Sequence, residues 1–145
     1  MFELGTDGPR SILVGIDGSE TSLRAGSYAA GLARRQGAQV IVLFVHTPPG
    51  ASALRPELMA MQRQAQVCVV DELKADAERY AKVLGVEFIF HERFGNPYLE
   101  LVRLADELRV DAVVIGASMR AGHRLVGSLA SRLVRDARWP VTVVP

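Results

Sequence analysis

From residue 11 onward, short runs of apolar, often β-branched residues alternate with longer stretches in which apolar positions recur every three or four residues. The first pattern fits strands buried in a sheet, and the second fits helices with one buried face. Five runs read as strands: residues 11–17, 38–46, 86–92, 111–116 and 139–144. The run Val40-Ile41-Val42-Leu43-Phe44-Val45 is continuously apolar, as in an inner strand covered on both faces. Residues 86–92 alternate, which suits a half-exposed edge strand.

Between these runs, Ser19 reads as the N-cap of a helix reaching about Gln36, with Gly37 as its stop. A long helix from about Pro56 to Leu84 carries the stripe Leu58, Met61, Ala65, Val69, Leu73, Ala77, Tyr80 and Leu84, read as one buried face. Met59, Met61 and Cys68 are placed in or beside that core, and the Lys74–Glu78 and Glu78–Lys82 spacings are read as solvent-side pairs. Asn96-Pro97 opens the next helix, and Gly127-Ser128 a last one of about ten residues. The order β-α-β-α-β-α-β-α-β predicts an α/β fold with a doubly wound five-stranded parallel sheet. One domain over 1–145 is expected, with 1–9 a loosely ordered tail.

Composition narrows the function classes. The chain is 49% apolar and 23% charged, the balance of an ordinary globule, and its net charge of +1 lacks the basic surplus that phosphate-backbone binding needs. No nucleic acid is expected as partner. No run approaches the ~20 apolar residues of a membrane span, the start lacks a signal-peptide pattern, and Cys68 is the sole cysteine. A cytoplasmic protein without membrane contact is the expectation.

In a doubly wound sheet, ligands lie beyond the carboxyl ends of the strands, where the order reverses. With the order 3-2-1-4-5, the ends at Asp17-Gly18-Ser19, Val45-His46-Thr47 and Gly116-Ala117-Ser118 share one crevice. Past Gly116 come Arg120, His123 and Arg124, and then Gly127-Ser128 at a helix start, where free amides and the dipole favour an anion such as phosphate. Taken alone, Gly127-Ser128 is first read as a plain helix N-terminus, with Ser128 as cap. Residues 111–145 carry five arginines against two aspartates, a local basic bias. Asp17 reads either as a ligand to ribose, base or water-bound Mg²⁺, or as the Asp of an Asp-Gly turn. No catalytic set is found: His46, His91 and His123 lack metal-ligand spacing and are each read as solvated or capping, and no nucleophile elbow or P-loop is present.

Taken together, Ile12-Leu13-Val14-Gly15-Ile16-Asp17-Gly18-Ser19, Gly95-Asn96-Pro97, Asp111-Ala112-Val113-Val114-Ile115-Gly116, Gly127-Ser128 and the final Trp139-to-Pro145 segment resemble the universal stress protein family across nearly the whole chain. The resemblance implies strand order 3-2-1-4-5 in an adenine-nucleotide alpha hydrolase-like fold. It also implies ATP, with Mg²⁺, as a regulatory ligand. In the nucleotide-binding pattern Gly-x2-Gly-x9-Gly-Ser/Thr, Gly116 matches the first glycine and Gly127-Ser128 the last pair, while Met119 replaces the second glycine. Gly116 and Gly127 are eleven positions apart, where the pattern has thirteen, so the phosphate loop is two residues short. The resemblance places Asp17 and Val45 at the adenosine, Gly15 close to it, and Ile115 and Leu129 beside the glycine positions. Arg120, His123 and Arg124 are candidates to contact phosphates from a differently folded loop. It implies in addition a homodimer through the last strand, Val141 to Val144.

Three readings follow: a stress-response protein that binds an adenine nucleotide without rapid turnover, a nucleotide-free dimeric interaction module of the same family, and a slow ATPase or nucleotidyl transferase.

Overall fold

The structure, a computed structural model, describes residues 7–47, 55–117, 128–136 and 138–145. The strands are β1 (Ser11–Gly15), β2 (Gln39–His46), β3 (Phe88–Phe94), β4 (Ala112–Gly116) and β5 (Val141–Val144). The helices are α1 (Glu20–Gln36), α2 (Pro56–Leu84), α3 (Pro97–Leu108) and α4 (Ser128–Asp136). All strand pairs are parallel, and the sheet order is β3-β2-β1-β4-β5. This is the doubly wound α/β architecture that the alternation of elements predicts.

Side-chain parity divides the core between the two faces of the sheet. Ile12, Val14, Val40, Val42 and Phe44 meet α1 through Ala25, Ala29 and Ala33, and α2 through Val70 and Leu73. Leu13, Ile41, Leu43, Val113 and Ile115 meet α3 through Leu101 and Leu104, and α4 through Ala130 and Leu133. The alanine stripe of α1 brings that helix close to the sheet. Its N-cap is Ser19, whose hydroxyl accepts from the Ser22 amide, and Asn96 caps α3 by accepting from the Leu99 amide.

Several sequence expectations are corrected. β1 ends at Gly15 rather than at 17 because, although the Ile16 amide still donates to the Leu43 carbonyl, the Asp17 carboxylate turns back to the Ser19 amide. β3 lies two residues later than expected: Val86 packs into the core, and the ladder begins where the Val40 amide donates to the Glu87 carbonyl. β5 starts after Trp139, which is buried in the opposite core cluster.

The stripe on α2 is buried only toward its middle and end. Leu73 is buried and Val69 and Leu84 pack against the core, whereas Leu58, Met61 and Tyr80 are exposed, Met61 by 67%. A 29-residue helix is about 43 Å long and β2 about 26 Å, so the helix outruns the sheet that its stripe would cover. Met59 is half-buried and Cys68 is exposed, neither in the core. Lys74 pairs with Glu92 on β3, at 2.6 Å, instead of with Glu78.

At the amino-terminal edge of the sheet, Asp111 ties β4 to β1. Its Oδ2 accepts from the Arg10 amide (2.9 Å), the Ser11 amide (3.0 Å) and the Ser11 hydroxyl (3.3 Å). Hydrogen bonds to a charged acceptor contribute more than neutral ones, and Ser11 is 8% exposed. Asp111→Ala is therefore expected to destabilise the fold by about 2 kcal/mol, read as a lower urea midpoint at unchanged slope.

Candidate functional site

The carboxyl ends of β1, β2 and β4 lie side by side, because β1 sits between the other two. Gly15 pairs in register with Leu43, so Asp17 and Val45 each lie two residues further out along adjacent segments of the sheet edge. Val45, Ile115 and Leu129 belong to the α3–α4 face, with Ile115 fully buried and the other two packed against that cluster. Ser128 opens α4 and is exposed. Gly127, together with Met119, Arg120, His123 and Arg124, lies outside the described residues, as does any path of the phosphate loop.

Asp17 makes the turn of an Asp-Gly corner: its Oδ1 accepts from the Ser19 amide at 2.8 Å. Its own amide donates to the Ser22 hydroxyl at 3.3 Å, and that hydroxyl donates to the Ser19 carbonyl at 2.9 Å. Among the described residues no donor reaches the second carboxylate oxygen, so the turn role leaves Asp17 able to accept another hydrogen bond. Gly18 adopts φ +89°, and a Cβ there would come within 2.9 Å of Val69 Cγ1, so α2 rests directly on this corner. Gly116 has a packing reason of its own. A Cβ on it would lie 2.7 Å from the Thr21 carbonyl carbon and 2.8 Å from the Ser22 amide nitrogen, and the first turn of α1 occupies that space.

A side-chain cluster that the sequence reading missed lies on the α2 face at the same edge. His46, read as solvated or capping, has a side chain only 12% exposed. Its Nδ1 faces Gln66 Oε1 at 3.0 Å and its Nε2 faces Glu92 Oε2 at 3.3 Å. Its ring stacks on Phe94 (centroids 4.6 Å apart) and meets Phe44 edge-on. These residues come from β2, α2 and β3, so no local spacing reveals them; the only signal is that Phe44 and His46, like Glu92 and Phe94, are two apart and share a strand face. Among the described residues no group of three or more His, Cys, Asp and Glu side chains gathers to hold a metal ion, and no helix is long and apolar enough to cross a membrane.

Glu92 is held below the usual carboxylate range, first by the hydrogen bond from Lys74, against the opposing effect of burial, and then by His46. Lys74 is raised, first by its hydrogen bond to Glu92. The depressed Glu92 contributes stability above about pH 4.3 that is lost as pH falls through its folded value. The raised Lys74 contributes below about pH 10.4 and loses that as pH rises through its own. The stability gap between wild type and Glu92→Gln is thus expected to be largest from about pH 5 to 10 and to shrink on the acid side. Urea titrations at pH 7 and pH 4 check this.

The profile of the universal stress protein family matches residues 9–145. Universal stress protein G of Shigella flexneri is 32% identical over 146 residues, covering 93% of this chain and 98% of that protein. The solved structure of universal stress protein UspA from Lactobacillus plantarum superposes with a TM-score of 0.80 at 25% identity, covering 93% of this chain and 97% of the other. A universal stress protein in complex with cAMP gives a TM-score of 0.70 at 26% identity, with 94% and 97% covered. One from Archaeoglobus fulgidus in complex with dAMP gives 0.62 at 27%, with 93% and 97% covered. With an edge of the sheet built as the resemblance implies and the family profile matched over nearly its whole length, this chain belongs to the universal stress protein family.

Proposed function

We propose that this chain is a cytoplasmic stress-response protein that binds an adenine nucleotide at the carboxyl edge of β1, β2 and β4 as a regulatory ligand, without rapid turnover. The observation that carries the reading is the corner at Asp17: a carboxylate with one oxygen fixed in the turn and one facing no donor among the described residues, at the same edge of the sheet as the apolar residues Val45, Ile115 and Leu129. An apolar wall beside a fixed acceptor suits a base and ribose. Relatives of the same fold in complex with cAMP and dAMP support an adenine nucleotide as the ligand class. In this reading Gly15 lies under the adenosine, Gly116, Gly127 and Ser128 serve the phosphates, and ATP, with Mg²⁺, is the nucleotide. Any phosphate contact from Arg120, His123 or Arg124 belongs to the same reading.

Calorimetric titration of nucleotide-stripped protein with Mg·ATP tests it, with Gly127→Val alongside to block the amides of the helix start. Micromolar binding that is lost in the variant supports the reading, and the absence of heat at high micromolar ATP overturns it.

A second reading, a nucleotide-free dimeric module, is favoured by one observation. Among the described residues β5 pairs only with β4, so its other side is a short strand edge bearing Val141, Thr142, Val143 and Val144. Light scattering at micromolar concentration should then show a dimer that a proline at Val143 dissociates, and a wild-type monomer would count against it.

A further inference from the structure

We infer that His46 is a proton-responsive latch that seats α2 on the sheet and is felt at the Asp17-Gly18-Ser19 corner. This inference stands independently of nucleotide binding.

The ring is held on every side. Phe94 stacks on it and Phe44 meets its edge, so it cannot swing away without uncovering both aromatic contacts. On β3, Glu92 faces Nε2, and on α2, Gln66 faces Nδ1, with Lys74 bound to the other oxygen of Glu92. Among the described residues, Lys74 and Glu92 are thus the charged groups around the ring from the elements packed on it. A carboxylate only accepts, so Nε2 carries a proton in both charge states. The two states therefore differ at Nδ1. When the ring is neutral, Nδ1 accepts, and Gln66 must present its NH₂ group. When the ring is charged, Nδ1 donates, and Gln66 must present its carbonyl oxygen, the orientation found here. Protonation of a strand residue therefore reverses the polarity of its bond to the helix, makes that bond charge-assisted, and turns the contact with the Glu92 carboxylate into an ion pair.

The helix side of this bond has a second contact. Val69 lies three residues after Gln66, on the same side of α2, and it is the residue that touches Gly18. A change in how firmly Gln66 is held is passed through less than one helical turn to the corner that carries Asp17. Of this helix, only Val70 and Leu73 are buried.

Nitrogen-15 NMR of the histidine rings and of the Gln66 side-chain amide, recorded between pH 5 and 8 on the purified protein without nucleotide, tests the latch. The Gln66 amide signals and the Gly18 backbone amide should move with the midpoint of the His46 ring. After correction for intrinsic rates, hydrogen exchange over residues 58–70 should slow about fivefold in the charged state, the effect of one strengthened hydrogen bond. In His46→Asn, which keeps a polar side chain at this position but cannot titrate, both pH dependences should vanish while the fold is retained. Gln66→Met, at a half-buried position, should abolish the exchange response and leave the His46 titration in place. Gln66 and Gly18 signals that ignore the His46 midpoint, or a pH response that persists in His46→Asn, overturn the latch. Because no nucleotide is present, this outcome is independent of whether ATP binds.

Discussion

Gly116→Ala is expected to lower the stability of the protein by about 3 kcal/mol, the upper end of what one misplaced methyl group costs in a packed interior. The reason is the identity of the atoms in the way. The added Cβ would meet the backbone of Thr21 and Ser22 at 2.7 and 2.8 Å, inside the first turn of α1. A side-chain tip can swing aside, but a helix turn cannot move without disturbing its own cap at Ser19 and the buried Ser22 hydroxyl, which receives the Asp17 amide. The strain therefore spreads into the corner that carries the candidate ligand contact. Gly31→Ala is the matched control: it lies in α1 with nothing within 4 Å of the new Cβ, and it should raise stability by about 0.5–1 kcal/mol. Urea denaturation of the two variants beside wild type gives both numbers. A Gly116→Ala protein as stable as wild type would falsify the packing account.

Ile115→Ala is expected to cost about 4 kcal/mol. Ile115 is fully buried among Leu13, Leu43, Leu101 and Leu133 on the α3–α4 face, and removing three carbons leaves a cavity that helices anchored on both flanks cannot collapse. Ile115→Val, which removes one carbon, should cost only about 1 kcal/mol. The pair matters for any study of ligand binding. A loss of affinity in Ile115→Ala that is absent in Ile115→Val at a temperature where both are folded reflects the lost wall of the crevice, whereas a loss that tracks the unfolded fraction reflects stability alone. Thermal melts recorded beside the binding curves separate the two.

Both predictions concern residues singled out by their place in a nucleotide-binding pattern, and both turn out to have work in the fold. This marks what the sequence made legible. The alternation of apolar runs and helical stripes is a local property, and it located all nine elements among the described residues, together with the caps at Ser19 and Asn96. Errors arose where the outcome depends on distant partners. The stripe on α2 has the right period from Leu58 onward, yet periodicity does not say how far the sheet beneath it extends, and Leu58 and Met61 face solvent. Lys74 has helical neighbours at the right spacing but pairs across to β3, because Glu92 sits in a better-shielded position than Glu78. The same limit hid the His46 cluster, assembled from three elements between residues 44 and 94. At the candidate site, Asp17 was open to two readings, and the geometry shows that the turn role uses one carboxylate oxygen only.

The pairing of β1 with β4 joins Ile12 to Ala112, and the Asp111 staple closes the same junction. On the ribosome this has a temporal meaning. At about 5–20 residues per second, the roughly hundred residues between these partners take about 5–20 s to synthesise. During that interval β1 has β2 on one side and a bare row of amides and carbonyls on the other. The centre of the finished sheet is therefore a seam that closes late, ahead only of the β4–β5 pair, and in the growing chain it is an edge in need of protection.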